Sequence, residues 1–136
     1  MGIELKIIGE EEIVLTDFTI KQYELVQDDI QGKNEYLSRN IIGIELNGEF
    51  SANDNCAEAK EVNLLSRWSK ITAHEKDAYR KVEVNLADAN NEVYDTILFE
   101  EAFLVTYAEN YNFDTSMVEF DAFIRDFDDT EIAVKI

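Results

Sequence analysis

Residues 79–127, YRKVEVNLADANNEVYDTILFEEAFLVTYAENYNFDTSMVEFDAFIRDF, place apolar side chains on every second position through several successive segments. Val82, Val84 and Leu86 alternate with Lys81, Glu83 and Asn85. Phe103, Val105 and Tyr107 follow the same rule. Val118, Phe120, Ala122 and Ile124 then alternate with Glu119, Asp121 and Phe123. A period of two sends one set of side chains to one face of a sheet and the rest to the other. This third of the chain therefore predicts a large antiparallel sheet with one greasy and one acidic face.

The same pattern extends towards the N-terminus. Ile3–Ile8 predicts a first strand, with Gly9 and Glu10–Glu12 as its turn. Ile13–Val26 is a long extended run whose apolar phase changes twice, so a bulge or bend must interrupt it. Asp28 to Asn40 has turn and polar composition, and a connection of that length tends to be functional. Ile42, Ile44 and Leu46 predict another strand, and Asn47-Gly48 is a strong short-range hairpin signal.

Only one helix is expected, over about residues 55–71. Asn53–Asn55 offer capping side chains, and Val62, Leu65, Trp68 and Ile71 recur at three-residue steps, joined by Leu64. Asp88–Asn91 predicts a turn between strands, Asn110–Thr115 the last long loop, and Ile132–Val134 a short final strand. The expected architecture is mainly β: a two-sheet antiparallel barrel or sandwich, residues 1–136 as one domain, with one α-helix between two β halves.

At 136 residues such a domain buries about 65–70% of its unfolded surface. The single cysteine, Cys56, excludes an internal disulfide and suits folding in the cytoplasm. No run approaches the roughly 20 apolar residues of a membrane span. The N-terminus has no basic-then-apolar leader, so export or incorporation into a virion would proceed without a signal peptide. The net charge is −18 and unevenly spread. Residues 57–81 carry +2 between segments of −8 and −12. This disfavours nucleic-acid binding through a basic patch. It fits a solubility surface, or a basic element on one copy docking on an acidic face of the next.

No pattern for catalysis stands out. His74 is the only histidine and lies in a polar turn, which argues against a histidine-dependent triad or a multi-histidine metal site within one chain. Cys56 precedes the helix without a second thiol or a neighbouring histidine. Asp126–Glu131 lacks the glycine and distant glutamate of a calcium loop. Glu100-Glu101 and Glu10–Glu12 could pair carboxylates, but they adjoin expected strand ends. We expect no cofactor, no metal and no enzyme activity. Phe123 and Phe127 share a phase opposite Phe120 and Ile124, which marks them as outward interface candidates. The competing reading is a sandwich with both faces partly covered.

The run Leu98–Glu109 followed by Val118–Arg125 resembles the closing hairpin of the Hcp-like and phage tail-tube proteins, where a strand such as Tyr79–Leu86 precedes it. The likeness is local over about residues 60–127 and one of element order elsewhere. It implies a non-enzymatic subunit forming six-membered rings that stack into a tube of a secretion, contractile injection or phage tail system. The implied partners are further copies and sheath, baseplate, spike or effector proteins. The loop residues Gln31, Lys33, Asn34, Glu35 and Tyr36 would reach the adjacent ring. Arg67, Lys70, Phe123, Arg125 and Phe127 would lie at the subunit interface. The Asn110–Thr115 loop departs from the pattern in lacking a glycine. The alternative is a small acidic binding or inhibitory protein, of the immunity or nucleic-acid-mimicking kind, that docks on a basic partner.

Overall fold

The computed structural model describes residues 2–27, 41–52 and 57–127. They form seven strands and one helix: β1 (Gly2–Ile8), β2 (Ile13–Thr16), β3 (Ile20–Gln27), β4 (Ile41–Ser51), α1 (Ala57–Ser69), β5 (Arg80–Ala87), β6 (Val93–Asn112) and β7 (Met117–Asp126). A 3-10 turn at Lys76–Ala78 precedes β5. All pairings are antiparallel, in the order β2-β1-β5-β6-β7-β4-β3.

That order forces the sheet to curl. Seven strands about 4.8 Å apart would place the outer two about 29 Å from each other if flat. Yet the outer strands β2 and β3 are joined only by Asp17, Phe18 and Thr19, a link that spans at most about 14 Å. The edges must therefore approach at that end, and the Thr19 N–H donates to Thr16 O at 3.0 Å to turn the chain.

The opposite corner lies within β6. Its first half pairs with β5 up to Arg80↔Ala102, and its second half pairs with β7 from Ala102↔Asp126 onwards. Glu100 and Glu101 together oppose one residue of β5, and Val105 has no counterpart on β7. Such bulges bend a strand and raise its twist, which lets one 20-residue strand serve two sheets. One sheet is β2-β1-β5 with the first half of β6. The other is the second half of β6 with β7, β4 and β3.

Between the sheets lies the core. Ile3, Leu5, Ile7, Val82, Val84, Leu86 and Phe99 come from the first sheet, and Ile44, Leu46, Phe120, Ala122 and Ile124 from the second. Val62, Leu65 and Trp68 add the apolar face of α1, as their spacing predicts. Each large side chain removed from water contributes about 1.5–3 kcal/mol. The Trp68 indole N–H donates to Ala78 O at 3.0 Å, and the buried Arg80 guanidinium lies 5.2 Å from the Trp68 ring centroid.

Several expectations change. Asn47-Gly48 is not a hairpin turn but the middle of β4. Gly48 is needed there because Thr19 O and the Phe120 ring fill the space of a side chain. The run Ile13–Val26 is two strands with a tight turn between them. Phe103, Val105 and Tyr107 do not share one face, because the bulge at Val105 resets the phase. Glu100-Glu101 lies inside a strand rather than at its end. The last loop is shorter than predicted: β6 continues to Asn112 and Ser116, at φ 58°, closes the turn. Ile132–Val134 and Cys56 lie outside the described residues.

Candidate assembly surface

The second sheet carries the features that set this molecule apart. Its four strands run alternately, so β3 and β6, at its two ends, point in opposite directions. Register ties their heights together. One row reads Ile20, Gly48, Phe120, Glu109, and another reads Val26, Gly43, Arg125, Phe103. Hence Ile20–Val26 on one edge stands level with Phe103–Glu109 on the other. Among the described residues neither edge has a second strand partner: β3 pairs only with β4, and β6 beyond Ala102 only with β7.

An unpaired strand edge is a template for another chain, and natural sheets commonly blunt it with lysine, proline or a covering element. The chain contains no proline. Between Phe103 and Asn112 there is no lysine, and Val105 and Tyr111 are exposed at 42% and 44%. Phe113, 87% exposed, packs against Tyr111 near the hairpin tip with the rings tilted and their centroids 4.9 Å apart.

The outward face of this sheet is acidic. Glu24 sits directly opposite Glu45, and Glu49 opposite Glu119, with Asp121 between them on β7. Like charges in directly opposed positions oppose sheet pairing. An open groove of about 840 Å³ lies over this face, lined among others by Lys21, Glu24, Glu45, Asn47, Asp121 and Phe123.

On the core-facing side, burial raises the Tyr107 phenol pKa, and its hydrogen bond to the Glu109 carboxylate and that negative charge raise it further. Tyr23 shifts in the same direction, through burial and then its contact with the Tyr94 hydroxyl.

The residues singled out from the sequence fall into three groups. Phe123 and Arg125 lie on the outward face, each half-buried, with Phe123 in the row of Glu24, Glu45 and Thr106. Phe127 is half-buried in an aromatic cluster with Tyr79 and Phe103, at centroid distances of 5.5 and 6.4 Å. Arg67 and Lys70 are exposed, Arg67 in the last turn of α1 and Lys70 just beyond it. Gln31, Lys33, Asn34, Glu35 and Tyr36 lie outside the described residues. His74 is exposed, and no group of three metal-ligating side chains occurs among the described residues. No described helix is long and apolar enough to cross a membrane.

Sequence reasoning missed the two level edges. Strand order is not encoded in periodicity, and the one available signal was the long run of 103–112 without lysine or proline.

No protein-family model matches the chain, and no curated protein matches it. Among solved structures it is similar to Hcp1 from Flavobacterium johnsoniae, at 15% identity and a TM-score of 0.48 over 93% of this chain and 90% of that one. It is similar to a chain of the anti-feeding prophage baseplate, solved by cryo-EM with six-fold symmetrisation, at 12% identity and a TM-score of 0.48 over 93% and 89%. It is also similar to Hcp1 from Salmonella typhimurium, at 10% identity and a TM-score of 0.49 over 90% and 81%.

Proposed function

We propose that this chain is a non-enzymatic structural subunit that joins copies of itself edge to edge into rings. The observation that carries the reading is the pair of open, level, oppositely directed edges on one four-stranded sheet. An even number of alternating strands lets β6 of one copy pair antiparallel with β3 of the next while the same side stays inward. Repetition of such a heterologous contact closes a ring when the rotation permits. The resemblance implies six copies, stacked as the tube of a secretion, injection or phage tail system, with the loop at 28–40 meeting the next ring. In this reading the acidic sheet face forms one wall of the ring. The protein folds in the cytoplasm and enters its assembly there, before any export.

The test is the solution mass, by light scattering over a wide concentration range, of the wild type and of Val105→Lys/Ala108→Lys. Both positions are exposed on the open half of β6. The wild type forms a discrete oligomer and the double variant a folded monomer. A wild type that stays monomeric at the highest concentration and at several salt levels contradicts the proposal.

One observation favours a second reading. The directly opposed pairs Glu24/Glu45 and Glu49/Glu119 concentrate negative charge on the outward face, as on a surface that suits a basic partner. A monomer that forms a salt-sensitive complex with a basic protein would support an acidic binding or inhibitory role instead.

A further inference from the structure

We infer that Glu61 is a gatekeeper that closes the edge of β2 to strand addition by another copy. β2 is the outer strand of the first sheet and pairs only with β1 among the described residues. It would offer a further open edge, but two of its backbone groups are engaged from within the molecule. The Val14 N–H donates to Glu61 Oε2 at 2.9 Å, across 47 residues of sequence. The Thr16 carbonyl accepts from the Thr19 N–H at 3.0 Å.

Glu61 stands one residue before the buried Val62 on α1, whose apolar face is anchored in the core by Leu65 and Trp68. The helix therefore holds the carboxylate against the strand. A charged acceptor on a backbone donor makes a short, strong hydrogen bond, and a covered edge cannot recruit a foreign strand. The contrast is with β3 and β6, whose outer edges have no second strand partner among the described residues. Edge capping of this kind selects among assemblies the same strands could form.

This inference rests on the edge-pairing reading, but its test is read relative to whatever the wild type forms. Glu61→Ala uncaps Val14, whereas Glu61→Gln keeps an amide oxygen as acceptor. Mass photometry is expected to show the wild-type distribution for Glu61→Gln and a broad, higher-mass distribution for Glu61→Ala. Adding Thr16→Lys to Glu61→Ala, a lysine on the β2 edge opposite Glu4, is expected to restore the wild-type distribution. That rescue separates edge pairing from simple unfolding, which a lysine on β2 would not reverse.

A folded Glu61→Ala protein, by circular dichroism, with the wild-type distribution overturns the gatekeeper role. So does aggregation that Thr16→Lys leaves unchanged, or Glu61→Gln behaving like Glu61→Ala. A monomeric wild type with a self-associating Glu61→Ala would instead contradict the ring reading and leave Glu61 as the gatekeeper.

Discussion

The Thr19 carbonyl oxygen occupies the space that a β-carbon on Gly48 would need, and the Phe120 ring closes the same space from β7. The Thr19 carbonyl is fixed there by the Glu49 N–H, which donates to it at 3.1 Å. This contact joins the short turn after β2 to the middle of β4, and so helps hold the two sheets into one curled body.

Gly48→Ala is accordingly expected to destabilise the fold by about 1–3 kcal/mol, the usual range for overpacking a tight site. Thermal unfolding checks this. Gly2→Ala is the internal control, because a β-carbon there meets only the Asp17 carboxylate at ordinary contact distance. Its midpoint should move by less than about 0.5 kcal/mol equivalent.

The Arg80 guanidinium is buried between Trp68 and Asp77, with its Nη2 2.6 Å from Asp77 Oδ2. Removing the carboxylate leaves a buried cation without its counter-charge. Asp77→Ala should therefore cost about 1–3 kcal/mol, and because Arg80 is shielded the loss should persist in high salt. Urea unfolding at low and high salt measures both. A loss that vanishes with added salt would place the pair among weak surface interactions.

Alkaline stability should depend on Tyr107. Its phenol pKa is raised above the ordinary 10.0, by burial first and by Glu109 second. The folded protein thus keeps a proton that the unfolded chain releases. The resulting stabilisation is complete below pH 10 and is lost as pH rises above it. Tyr107→Phe removes this contribution, so its unfolding free energy should fall less steeply between pH 10 and 12. An unchanged slope would show that Tyr107 ionises as freely in the folded state as in the unfolded one.

A fourth expectation concerns the connection between β3 and β4. Shortening residues 31–38 should preserve the unfolding midpoint and the ring mass but abolish stacking, as seen by electron microscopy. Stacks of normal length would remove the loop from the stacking contact.

Much of the fold was legible because burial follows local pattern. Val82, Val84, Leu86, Phe120, Ala122 and Ile124 are buried as alternation requires, and Val62, Leu65 and Trp68 as the helical step requires. The failures come from long-range packing. Gly48 serves a close approach by Thr19, 29 positions earlier in the chain, and its dipeptide alone suggests a turn. The phase of Phe103, Val105 and Tyr107 depends on a bulge forced by β6 serving two sheets, which no local pattern announces. For the candidate surface, Phe123 was found by phase alone. The open edges were not, since they depend on which strands become neighbours. The capping of Val14 by Glu61 was hidden for the same reason.

Amide hydrogen exchange resolved to single residues is the most direct test of edge pairing between copies. In the assembled wild type, the outward-pointing amides of Ile20–Gln27 and Phe103–Asn112 should exchange at least about tenfold more slowly than in the Val105→Lys/Ala108→Lys monomer. Equal exchange at both edges in the two proteins would mean that copies do not meet there, and would contradict a ring built through the second sheet.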